Sequence, residues 1–156
     1  MISFQDLFEK SDQHWIYYNN RQLFWADKFL VASNATLRVT IEETNSDYRQ
    51  GISIDIVGQY TINEQTVTNE TGSKLLFWED DFTKPFEIQI KPTTGFVWVQ
   101  NIWEIVDYQG NCTTNSGVNG AAMIIEKIEN GKRYRCNDGN PNDDFNDIVF
   151  TIQQVS

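Results

Sequence analysis

Eight of the eleven residues in the run Asn137-Asp138-Gly139-Asn140-Pro141-Asn142-Asp143-Asp144-Phe145-Asn146-Asp147 are Asp or Asn. The carboxylates of Asp138, Asp143, Asp144 and Asp147 share this arc with no Lys or Arg among them, so at neutral pH they repel one another. A hard divalent cation removes that conflict. Calcium takes roughly six to eight oxygen ligands at about 2.3 to 2.6 Å, drawn from carboxylates, Asn side chains and backbone carbonyls. The run supplies those groups, with Gly139 allowing a tight turn and Pro141 lowering the entropy of ordering the loop. The candidate metal ligands are Asp138, Asn140, Asn142, Asp143, Asp144, Asn146 and Asp147, and Phe145 is expected to turn inward and anchor the loop. An EF-hand needs Gly at its sixth loop position, Glu at its twelfth, and a helix after it; here a strand-like segment comes next. Cys136 is the only Cys or His nearby, which favours an oxygen-seeking ion over a transition metal.

The segment Asn142-Asp143-Asp144-Phe145-Asn146-Asp147-Ile148-Val149, with Asp138-Gly139 before it, resembles the calcium loop of bacterial two-calcium fucose/mannose-binding lectins. It is also similar to the Asp-Phe-Asn-Asp signature of a β-rich bacterial extracellular domain family of uncertain function. The lectin resemblance implies that Asp144, Asn146 and Asp147 ligate metal, that Asp144 and Asp147 bridge two ions, and that sugar hydroxyls bind those ions directly. Asp138 matches a loop acid that touches sugar. Asn142 stands where the lectins carry Asp, and one extra residue around Asn140-Pro141 shifts the register. The lectins lend a terminal Gly carboxylate to a neighbouring subunit, whereas this sequence ends Gln154-Val155-Ser156. The function implied by the resemblance is a calcium-dependent, lectin-like module for carbohydrate or glycoconjugate, with a homo-oligomer among its partners. The alternative is a β-domain whose calcium is structural and supports protein interaction, adhesion or toxin-like recognition.

Each of these signals has a plainer reading. Asx-rich segments between strands are often solvated turns, because Asn and Asp bond their own backbone. Trp15, Trp25, Trp78, Trp98 and Trp103 offer indole faces for sugar stacking, yet most such rings pack in cores. Trp98 shares a face with Phe96 in a central-looking run and is expected to be buried. Trp78, beside Glu79-Asp80-Asp81, is the exposed candidate and joins Asp138, Asn146 and Asp147 as a ligand-binding residue. His14 is the single histidine, more in keeping with a packed side chain than a catalytic base. With no nucleophile elbow, phosphate-binding glycine loop or histidine zinc motif, the chain reads as a binding module and not an enzyme.

The elements that must position the loop are strands. Aromatic residues make up 13% of the 156 residues, against two Met and three Pro, a composition that suits pleated sheets. Period-two alternation places Leu37, Val39 and Ile41 on one face, then Ile52, Ile54 and Ile56, then Phe86, Ile88 and Ile90, and finally Ile148, Phe150 and Ile152. Tyr60 to Thr68 and Phe96 to Ile105 read as further strands, the latter after a turn at Pro92 and Gly95. Asn130-Gly131 between Ala122–Ile128 and Lys132–Cys136 predicts a type I′ hairpin. Gln109 to Gly120 reads as a surface loop, and Phe4, Leu7 and Phe8 as one helical turn. The expected architecture is one domain over residues 1–156, an all-β antiparallel sandwich of jelly-roll type with about eight strands.

The formal net charge of −10, from 22 acidic and 12 basic residues, repels phosphate backbones and anionic lipids, so nucleic acid is not an expected partner. No apolar run approaches a membrane span. The N-terminal residues lack the pattern of a signal peptide, which predicts a cytoplasmic protein or one exported without a leader. Cys112 and Cys136 either bridge each other or stand as separate thiols.

Overall fold

The computed structural model describes residues 8, 11, 15–32, 34–62, 64–69, 74–116, 121–138 and 144–155. These form twelve strands: β1 (Trp15–Tyr18), β2 (Arg21–Phe24), β3 (Asp27–Leu30), β4 (Ala35–Thr44), β5 (Arg49–Ile62), β6 (Gln65–Asn69), β7 (Lys74–Trp78), β8 (Phe86–Val106), β9 (Cys112–Asn115), β10 (Ala122–Ile128), β11 (Gly131–Asn137) and β12 (Ile148–Val155). The expected count of about eight is thus too low. The N-terminal aromatic region divides into three short strands, and Cys112–Asn115, expected in a loop, pairs as β9 with Trp103–Val106. Of the expected N-terminal helical turn only Phe8 lies among the described residues; its side chain is buried with Ile16, Leu23 and Ala122. No helix among the described residues is long and apolar enough to cross a membrane.

All pairing is antiparallel, in the order β1-β2-β10-β11-β12-β4-β8-β5-β6, with β3 and β9 added to β8 and β7 added to β5. The expected turn at Pro92 and Gly95 is absent; β8 runs through it for 21 residues. It changes partners on the way. Its first part pairs with β4 and the end of β5, its second with β3, β9 and the start of β5. The β5–β8 ladder shifts register between Ile56 and Gly58, and Gly58 lies opposite Pro92 at φ 125°. A proline has no N–H to give the ladder, and an irregularity at this point spares the sheet a missing bond.

One continuous sheet thus closes on itself as a sandwich-like pair of layers around a shared core. Ile52, Ile54, Ile56, Val97 and Val99 of β5 and β8 join one buried cluster with Leu37, Val39, Tyr134, Cys136, Ile148, Phe150 and Ile152 of β4, β11 and β12. The alternating residues read from the sequence are these. Tyr134 and Phe150, opposite each other in the β11–β12 ladder, stack with ring centroids 4.7 Å apart. Trp103 is buried at 1% exposure, but Trp98, expected inside, is only half-buried. Val97 and Val99 take the inner face, which turns Phe96 and Trp98 outward beneath the Lys28 ammonium, 4.2 and 5.3 Å from their ring centres.

Two hairpin turns differ in a way that backbone geometry explains. Between β1 and β2, Asn19 and Asn20 both take positive φ, 49° and 62°, as a two-residue type I′ turn requires. Between β10 and β11 the pair Ile128 and Gly131 closes the ladder, so the turn residues are Glu129 and Asn130, one position before those expected. Asn130 supplies the left-handed conformation at φ 60°. Gly131 serves packing instead: a Cβ there would fall 2.0 Å from the Ile152 carbonyl oxygen. Gly131→Ala is accordingly expected to lower stability by about 1 to 3 kcal/mol or more through overpacking against β12, measured by urea denaturation.

Candidate metal site

Cys136 stands opposite Ile148, so the 137–147 loop begins at the end of β11 and ends at the start of β12. Its base is clipped twice. The Phe145 N–H donates to Asn137 Oδ1 at 2.7 Å, and the Asp147 N–H donates to the Cys136 carbonyl at 3.0 Å. On the far side the Asn45 N–H donates to the Asp147 carbonyl at 3.0 Å, and Asn45 Nδ2 to the Asn146 carbonyl at 2.8 Å. Backbone bonds on both flanks therefore fix Asp147. Phe145 lies inward as expected, 3% exposed against Ile16, Leu23 and Ala122, although it must hold φ 50° to do so.

The seven candidate ligands divide by place. Asp138 is fully buried and Asp147 is 6% exposed, whereas Asn146 is half-buried and Asp144 exposed. Asn140, Asn142 and Asp143 lie outside the described residues. The two buried acids are in contact, the Asp138 N–H donating to Asp147 Oδ2 at 2.9 Å. Burial first, and then the charges of Asp138 and Asp144, push the Asp147 carboxyl up to about 6 against the lowering effect of the Asp138 N–H. The same burial, with Asp147 nearby, raises the Cys136 thiol well above its ordinary value and keeps it protonated. Cys136 is buried and Cys112 exposed, both as free thiols, so of the two sequence readings the separate one applies.

Residues distant in sequence complete the surroundings. The Ser46 hydroxyl donates to Asp138 Oδ2, and Gln50 Nε2 lies 3.4 Å from the same oxygen while donating to the Tyr48 carbonyl at 3.1 Å. Asn101 Nδ2 donates to the Asn137 carbonyl at 3.0 Å. Gln50 and Asn101 are fully buried on the inner faces of β5 and β8. Neither was singled out from the sequence. The available signal is an amide that interrupts an apolar alternation: Gln50 ahead of Ile52, Ile54 and Ile56, and Asn101 between Val99 and Trp103.

Trp78 is half-buried at the same end. The Arg49 guanidinium sits 4.6 Å from its ring centre, and its edge lies against Gly51, where an added Cβ would meet it at 2.8 Å. Arg49 also pairs with Asp80 at 2.7 Å and Asp81 at 3.2 Å, which are about 60% exposed and screened by water. Glu79 differs from those two neighbours, accepting the Gln50 N–H at 2.7 Å.

Among the described residues, no three His, Cys, Asp or Glu side chains cluster closely enough to hold a metal by themselves. The buried carboxylates of Asp138 and Asp147 are oxygen groups of the kind a hard cation accepts, and Ser46 and Gln50 meet Asp138 with neutral donors that bring it no full positive charge. A cleft of about 980 Å³ lies at the opposite end of the strands against Leu30, Leu37, Gly131 and Tyr134. It shares no residue with the loop. No protein-family model matches the sequence, and no curated protein matches it either.

Proposed function

We propose that this chain is a calcium-binding β-domain in which the ion held by the 137–147 loop clamps the final strand to the rest of the sheet. The observation that carries the reading is the contact of Asp138 and Asp147, two acids buried side by side at the base of the loop. A buried carboxylate that stays charged beside another needs a positive charge to offset it, and an ion there ties the end of β11 to the start of β12. Such a domain would serve protein interaction, adhesion or toxin-like recognition.

The lectin-like reading stands second, supported by the exposure of Asp144 and the partial exposure of Asn146. An ion held by Asp144, Asn146 and Asp147 keeps coordination positions open to vicinal sugar hydroxyls, with carbohydrate or glycoconjugate as the partner and a homo-oligomer as in the lectins. The finer description of the sandwich as jelly-roll-like belongs with this reading. Trp78 contributes little to it, because Arg49 occupies one face of its ring.

A thermal-shift series separates the two. Calcium is expected to raise the melting temperature and a chelator to lower it, since a ligand of the folded state alone stabilises that state. A monosaccharide panel added to the calcium-loaded protein moves the midpoint further only if the second reading holds. A melting temperature indifferent to calcium and chelator defeats both.

A further inference from the structure

Strand β11 carries Lys132, Tyr134 and Cys136 on one face, and the last two belong to the core. Lys132 therefore sits on the inner face, its side chain 31% exposed. Directly opposite it in the β10–β11 ladder is Lys127, which shares a strand face with Met123 and Ile125 of the same core. Like charges opposite each other on one face destabilise a sheet. Asp27 of β3 answers only one of them: its Oδ2 accepts Lys132 Nζ at 2.9 Å and the Tyr134 hydroxyl at 2.7 Å. Among the described residues, no carboxylate lies within ion-pair distance of Lys127.

Both lysines line the cleft of about 980 Å³, together with Phe29, Leu30, Leu37, Ile128, Ile152 and Val155. Among the described residues no acidic side chain lines it; its remaining polar groups are amides and the Tyr134 hydroxyl. A mainly apolar wall with a few convergent polar groups, at this volume, is the make-up of a small-molecule site. We propose that the cleft binds a free amphipathic carboxylate, its hydrocarbon part on the apolar wall and its headgroup between Lys127 and Lys132.

Charge complementarity selects the anion. With 22 acidic against 12 basic side chains the molecule as a whole repels anions, and two ammonium groups beside an apolar cleft are a local exception. Each ammonium has three N–H donors, of which Lys132 gives one to Asp27. A carboxylate between the lysines offsets the repulsion that Asp27 leaves; a neutral lipid does not, and a cation adds to it. The site goes beyond the calcium reading and is independent of it, because the cleft and the 137–147 loop share no residue.

The test is titration calorimetry of the whole chain with decanoate, decanol and decyltrimethylammonium, each below its micelle-forming concentration. Chelator is present throughout, so that no loop-bound calcium holds the carboxylate. Decanoate is expected to bind and to raise the melting temperature, with decanol and the cation at least about tenfold weaker. Lys127→Met should melt no lower than the unmodified chain, since a like-charge pair has gone, and should bind decanoate several-fold more weakly. Lys127→Glu should weaken it further. Lys132 is kept, because its removal strands the buried Asp27 carboxylate. Equal affinity for decanoate and decanol would overturn the proposal, and so would a decanoate affinity untouched by Lys127→Met and Lys127→Glu. An unmodified chain that takes up no decanoate defeats it outright and leaves the calcium reading as it was.

Discussion

Asp147→Asn is expected to stabilise the calcium-free domain at neutral pH while abolishing its response to calcium. An aspartate titrating at 3.8 when unfolded and at about 6 when folded binds more protons in the folded state between those values. Stability of the metal-free protein therefore falls as pH rises through that window, and above it the ionised carboxylate costs at most about 3 kcal/mol. Asparagine keeps an oxygen for the Asp138 N–H and carries no charge to bury. In chelator the variant should melt higher than the parent at pH 7, by roughly 2 to 4 °C for each kcal/mol recovered, and the two should converge near pH 4. With calcium the order reverses, since only the parent retains the carboxylate. Calcium binding to the parent should weaken as pH drops below about 6, where the ion must displace a proton from Asp147. A variant that melts below the parent at every pH and still responds fully to calcium would show that Asp147 is a structural carboxylate only.

Phe145→Ala is expected to produce the second large change, and to produce it in two quantities at once. The ring is 3% exposed in the small cluster of Ile16, Leu23 and Ala122, and truncating such a ring costs about 3 to 5 kcal/mol. Its N–H is also the donor that closes the loop on Asn137 Oδ1. Losing the anchor loosens the limb that leads to Asp147, so calcium affinity of the folded protein should fall together with the urea midpoint. Leu37→Ala is the matched control. It empties a site of 1% exposure on β4, opposite Gln154 and away from the loop, and should lower stability without changing calcium affinity. Equal calcium affinities in Phe145→Ala and its parent would break the link between that ring and the ion.

The strands that carried alternation were legible because one face of each is buried: Leu37 with Val39, Ile52 with Ile54, Ile148 with Phe150. Strand β9 was not, since Cys112, Thr113 and Thr114 are exposed and show no apolar face to alternate. The passage of β8 through Pro92 and Gly95 was misread as a turn because local composition records a breaker and not the irregularity on β5 that accommodates it. At the site, the loop announced itself through acid density, and the inward turn of Phe145 could be read from its setting. Gln50 and Asn101 come from 88 and 36 residues away to meet Asp138 and Asn137, a proximity created by the closing of two layers and invisible to any local window.

The sheet order places β12, the final strand, between β11 and β4. During synthesis β4 thus waits for a neighbour made more than a hundred residues later, Thr44 meeting Ile148. The central seam can zip only once Ile148–Val155 has been made, and the segment that leads into it is the acidic run itself. Under the calcium reading proposed above, ion capture and closure of the sheet are expected to be one event, and a chain cut short before Ile148 should lack both the seam and Asp147's partner strand.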